Sequence, residues 1–77
     1  MTKAYEELVD FIATGTTPQS VAVFRASPET RARAEELVRK EKASGLLPEE
    51  SSELNDYLQL EHLMRLAKAR ANRVLEQ

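Results

Sequence analysis

The chain has 77 residues, with thirteen acidic and eleven basic side chains and a formal net charge of −2. This length suits one domain, in the size range where a single core gives only marginal stability. The absence of cysteine excludes disulfides, thiolate metal sites and cysteine nucleophiles. The near balance of charge argues against a general attraction of the whole protein to nucleic acid or to an anionic membrane.

The composition predicts an all-α fold, because 31% of the residues are charged, only four are aromatic, and no segment alternates apolar and polar residues between turns. No apolar run approaches the roughly 20 residues that cross a bilayer. Glu6, Glu7 and Asp10 also stand where a signal peptide would have a basic segment and then an apolar one. We therefore expect a soluble, unprocessed, cytoplasmic protein, folded as one small helical domain of three or four helices over residues 1–77.

Helix one is predicted over about 3–14, ending before Gly15. Its apolar residues recur at i, i+3, i+4 and i+7, which predicts a buried stripe; they are Tyr5, Leu8, Val9 and Ile12. The acidic residues between them are expected to face water. They are Glu6, Glu7 and Asp10.

Two further helix starts are marked by a capping residue directly before a proline, at Thr17-Pro18 and Ser27-Pro28. Helix two, over about 18–24, is barely two turns long and depends on packing by its neighbours. Helix three, over about 28–44, is predicted to lie on the outside of the fold, because its basic and acidic residues are interleaved and its buried edge is thin. That edge consists of Ala34, Leu37 and Val38.

Helix four is predicted over 48–75. Leu47 stands at its capping position, so Ser51 or Ser52 is expected to supply the cap instead. A helix of this length measures about 42 Å, whereas a compact chain of 77 residues has a radius of gyration of only about 11 to 12 Å. The helix must therefore bend, break or project from the domain.

The apolar residues of helix four form two faces that differ in direction by roughly 120° at the helical repeat. The first is predicted to close the core with helices one to three, and consists of Leu47, Leu54, Tyr57 and Leu58. The second is predicted to be a protein interface, with alanines that allow another helix to approach closely. It consists of Leu60, Leu63, Met64, Ala67, Ala71 and Val74, and is called the seam below.

Basic residues also concentrate in the second half of helix four. They are Arg65, Lys68, Arg70 and Arg73. Basic residues near a helix C-terminus complement the helix dipole, and charges beside an apolar seam are typical of interface rims. Weak contact with DNA is the alternative interpretation of the same residues.

Support for an enzyme is slight. His62 is the only histidine, and Leu58, Leu66 and Gln59 occupy the positions where a second metal ligand would be expected on the same helix. Two glycines cannot form a glycine-rich phosphate loop. We predict no catalytic residue, no metal and no cofactor.

The segments GLLPEE (45–50) and YLQLEHLMRLAKARA (57–71), together with YEELVDFI (5–12), resemble a family of small uncharacterised bacterial proteins. Genes of this family often lie beside a gene for an HNH-type nuclease-like protein. The resemblance covers nearly the whole chain, although Leu47 stands where relatives tend to have Ser or Thr. It implies an antitoxin-like protein or an accessory partner of that nuclease.

Together these observations predict a non-enzymatic protein-interaction module that self-associates through the C-terminal helix, as a homodimer, or binds an HNH-type nuclease-like protein. The alternative is a small DNA-binding transcriptional regulator that uses the basic part of the same helix. No contact with a membrane is expected.

Overall fold

A computed structural model describes residues 2–77 and shows four helices and no strand in that range. α1 spans Lys3–Ala13, α2 spans Pro18–Val23, α3 spans Pro28–Ala43 and α4 spans Pro48–Leu75. The predicted all-α class with a long C-terminal helix is confirmed. The helix ends agree with the prediction to within one residue.

The helix ends are set by local capping. The Thr17 hydroxyl accepts a hydrogen bond from the Ser20 amide at 3.1 Å, and the Ser20 hydroxyl accepts one from the Thr17 amide at 2.8 Å. Ser27 likewise accepts from the Thr30 amide at 3.2 Å. After α1 and α3 the chain reverses at Gly15 and Gly45, whose φ angles are +93° and +91°. Only glycine adopts this left-handed conformation without steric cost.

The expected serine cap of α4 is wrong. Leu47 is the residue that precedes the helix, and its side chain makes no capping hydrogen bond. Glu50 supplies half of a capping box instead, because its carboxylate accepts from the Leu47 amide at 2.9 Å. Lys40 holds the same carboxylate from α3 at 2.7 Å. Ser51 and Ser52 lie within the helix, too far along to cap it.

The molecule is elongated, with extents of 48 × 22 × 18 Å and a radius of gyration of 14.2 Å. α4 is unbroken over its 28 residues, which excludes the break considered from the sequence. Its first part packs on α3, and α2 makes the most extensive contact with it. The three shorter helices therefore all pack against α4.

The core is small, and Leu37 is its only completely buried large side chain within residues 2–77. The predicted inner edge of α3 is confirmed for Ala34 and Leu37, whereas Val38 is only half-buried. The other buried apolar residues come from α1 and from both halves of α4. They are Leu8, Leu54, Leu60 and Ala71.

The predicted orientation of α1 is partly wrong. Leu8 is buried, but Val9 and Ile12 are 48% and 61% exposed. The helix is rotated so that Phe11 stacks on Phe24, with ring centroids 4.4 Å apart. Glu7, which was expected to face water, is half-buried and bonded to the start of α3. These two non-local contacts determine which side of α1 is buried.

The two predicted faces of α4 also need correction. Leu54 is buried and Tyr57 half-buried, as expected, but Leu47 and Leu58 are 60% and 49% exposed. Leu60, assigned to the second face, is buried together with the first-face residue Leu54. The chain therefore buries one side of α4 along most of its length.

Candidate interaction surfaces

The six residues of the seam divide between the core and the surface. Leu60 and Ala71 are only 9% and 7% exposed, because α1 and α2 already pack along this side of α4. This corrects the expectation that the whole seam is left for a partner. Leu63 and Val74 are each 52% exposed. Met64 and Ala67 are intermediate in exposure, since each is half-buried.

The exposed part of the seam continues onto a leucine that the sequence analysis did not include. Leu66 is 55% exposed and lines a shallow depression with Leu63, Ala67 and Arg70. Val74 follows one turn after Arg70. We call these five residues the outer edge of α4. Leu66 lies three residues after Leu63 and four before Arg70. This helical spacing could have placed Leu66 on the outer edge from the sequence alone.

A second surface is a groove of about 330 Å³ between α1, the α2–α3 connection, the start of α3 and the middle of α4. We call it the basic groove. Its apolar walls are Leu8, Phe24, Leu60 and Met64. Four cations lie around these walls, namely Arg25, Arg31, Arg65 and Lys68. Sequence analysis missed this site, because its residues come from four separate segments.

The carboxylates of the basic groove already have partners. Glu61 accepts a hydrogen bond from Arg65 at 3.2 Å. Glu7 accepts from both the amide and the hydroxyl of Ser27 at 2.8 Å, and from the hydroxyl of Thr30. Burial raises the pKa of Glu7, but these hydrogen bonds and the charge of Lys3 outweigh it, so the pKa lies below its ordinary value.

Arg31 and Lys68 are both half-buried, and neither takes part in an ion pair within residues 2–77. Arg31 differs from the other three cations in its Nε, which is buried without a hydrogen-bond acceptor. Tyr57 lies in the same groove, and its pKa is raised by burial and by the negative charge of Glu61. A partly desolvated guanidinium without a counter-ion is an unfavourable arrangement that a bound anion would relieve.

The four candidate nucleic-acid residues do not share one surface. Arg65 and Lys68 border the basic groove, whereas Arg70 and Arg73 border the outer edge. At the helical repeat these two pairs point roughly 140° apart. A phosphate backbone lying along one side of α4 would therefore meet only one pair directly.

His62 is exposed. The part of the chain that the structure describes holds no group of three or more His, Cys, Asp or Glu side chains arranged to bind a metal. Within the same residues, no helix is both long and apolar enough to cross a lipid bilayer.

No protein-family model, no curated protein and no solved structure matches this chain. The resemblance stated from the sequence, and the nuclease-like partner that it implies, therefore stay predictions.

Proposed function

We propose that this protein is a non-enzymatic interaction module whose first partner is a second copy of itself, bound through the outer edge of α4. The observation that carries the proposal is the exposure of Leu63, Leu66 and Val74, each between 52% and 55%, on one side of one helix. Burying a fully exposed side chain of this kind contributes roughly 1.5 to 3 kcal/mol, so covering the exposed half of each of these three contributes about half of that value.

The total surface supports the proposal. A folded monomer of 8.7 kDa is expected to expose about 4,700 Å², whereas this chain exposes 5616 Å². The difference of about 900 Å² is similar to the roughly 800 Å² that each partner loses in a stable protein interface. The excess comes from the elongated shape, because α4, about 42 Å long, extends along most of the 48 Å length of the molecule.

Charge favours an antiparallel arrangement of the two copies. A two-fold contact places the same surface patch on both subunits. In a parallel pair Arg70 would face its own copy, which is unfavourable for like charges. In an antiparallel pair the two copies of Arg70 lie apart, and their aliphatic stems cover neighbouring leucines.

Size-exclusion chromatography with light scattering over a dilution series tests the proposal. The wild-type chain should be dimeric at high micromolar concentration and dissociate on dilution. Leu66→Glu should be monomeric throughout, because it introduces a charge at the centre of the contact. The helical circular dichroism of this variant should be unchanged, since Leu66 is not part of the core.

Asn72→Glu is the matched control, because it adds the same charge to the exposed surface of the same half of α4, away from the outer edge. It should associate as the wild type does. A wild-type chain that stays monomeric at high micromolar concentration would contradict self-association. Co-purification of one nuclease-like protein that Leu66→Glu abolishes would then assign the outer edge to that partner.

A further inference from the structure

We propose that the basic groove binds a small monocarboxylate with an apolar body, of the chemical class of medium-chain fatty acids. The proposal is independent of self-association, because the basic groove and the outer edge lie on different sides of α4.

The groove has the dimensions and walls of a small-ligand site. Its volume of about 330 Å³ lies at the lower end of the range of roughly 300 to 1,000 Å³ that is usual for such pockets. Leu8 and Leu60 are buried beneath it, and Phe24 and Met64 are half-buried at its sides. An apolar chain lying on these residues would be partly removed from water.

The charges of the groove select an anion. Four cationic side chains line it against two carboxylates, although the whole chain has a net charge of −2. Glu7 is occupied by Ser27 and Thr30, and Glu61 by Arg65. Neither Arg31 nor Lys68 has a counter-ion among the described residues. A ligand carboxylate would pair with these two cations, with the guanidinium able to bind both of its oxygens.

A carboxylate with an apolar chain fits the groove better than a fully polar anion. Inorganic phosphate would satisfy the cations but would leave Phe24 and Met64 against water. A neutral or cationic chain of the same length would cover these walls but leave Arg31 without a partner. A ligand that carries both an anionic head and an apolar chain matches both the cations and the apolar walls of the groove.

Isothermal titration calorimetry of the full chain with octanoate, below its micelle-forming concentration, tests the proposal. Octylamine, which has the same chain with a positive head, is the matched probe. Octanoate should bind saturably with one site per chain, and octylamine should show no saturable binding. The resonance of the Met64 methyl group should shift during the octanoate titration, because this side chain lines the groove.

Arg31→Gln and Lys68→Gln should each weaken octanoate binding by about tenfold or more, as expected from the loss of a charge-assisted hydrogen bond. If Arg31→Gln, near the start of α3, does not fold stably, Lys68→Gln still tests whether the cations of the groove bind the carboxylate. Arg39→Gln is the control, because it removes the same charge from an exposed position of α3 outside the groove. It should bind octanoate as the wild type does.

Three results would overturn the proposal. They are no saturable octanoate binding to the wild type, equal binding of octanoate and octylamine, and octanoate binding that neither Arg31→Gln nor Lys68→Gln weakens.

Discussion

The carboxylate of Glu7, in α1, accepts a hydrogen bond from the hydroxyl of Thr30, the third residue of α3. Thr30 is 6% exposed and is the only buried polar residue among residues 2–77. The same carboxylate accepts from the amide and hydroxyl of Ser27, which caps α3. A negative charge at this end of a helix is also favoured by the helix dipole. Glu7 therefore links α1 to the N-terminus of α3.

Glu7→Gln should destabilise the fold by about 1 to 3 kcal/mol, because an amide offers one acceptor oxygen to three donors and leaves at least one of them unsatisfied. Urea denaturation followed by circular dichroism measures this change. Glu6→Gln is the control, since Glu6 is the neighbouring, exposed acid of the same helix, and it should change stability by less than about 0.5 kcal/mol. Equal effects of the two substitutions would contradict the proposed link.

Acid should weaken the fold through the same carboxylate. The pKa of folded Glu7 lies below its ordinary value of 4.5, so the unfolded chain takes up this proton at a higher pH than the folded chain does. The stabilisation is thus complete above about pH 4.5 and is lost as the pH falls through the pKa of the folded state. Glu50 acts in the same direction, because its hydrogen bonds from Lys40 and from the Leu47 amide lower its pKa.

The free energy of unfolding, measured between pH 7 and pH 3, should therefore fall less steeply in Glu7→Gln than in the wild type. The remaining dependence should include the contribution of Glu50. Parallel curves for the two proteins would show that Glu7 has the same pKa in the folded and unfolded chains.

Ala71→Glu should strongly destabilise the monomer rather than only its association. Ala71 is 7% exposed on the buried side of α4, and an uncompensated charge in such a place costs about 3 kcal/mol or more. That is a large part of the roughly 4 to 12 kcal/mol expected for a chain of this length. Thermal unfolding at a fixed protein concentration measures the effect.

Asn72→Glu is the control for this substitution, because Asn72 is the next residue of the same helix and is exposed away from the outer edge. It should keep a melting temperature close to that of the wild type. Similar losses in both variants would mean that Ala71 is not buried as described.

Leu47→Ser should stabilise the chain by about 0.5 to 2 kcal/mol, because a hydroxyl at the start of α4 would accept a hydrogen bond from the first turn. Leu47 has the extended backbone of a capping residue, no capping side chain and 60% exposure, so little burial is lost. Leu47→Ser both removes the leucine side chain and adds a hydrogen-bond acceptor. Leu47→Ala separates these two effects, since it removes the leucine without adding an acceptor. An equal urea midpoint for the serine and alanine variants would argue against the cap.

Local sequence determined where the helices begin and end. Thr17 and Ser27 cap the residues that follow them, proline at the first helical position needs no hydrogen-bond acceptor, and Gly15 and Gly45 adopt left-handed backbone. These interactions join residues within a few positions of each other. They are therefore visible in the linear order of the chain, and all four helices could be predicted from it.

The tertiary structure decided how each helix is rotated about its axis, and so which residues are exposed. Phe11 and Glu7 turn α1 through contacts with Phe24 and Thr30, which are 13 and 23 positions away in the chain. This rotation leaves Val9 and Ile12 exposed, although their spacing favours burial. Packing of α1 and α2 along α4 likewise buried Leu60 and Ala71 and left Leu66 exposed. Helical periodicity shows that a helix has an apolar stripe, but contacts between distant segments decide which stripe is buried. The same contacts bring together the residues of the basic groove.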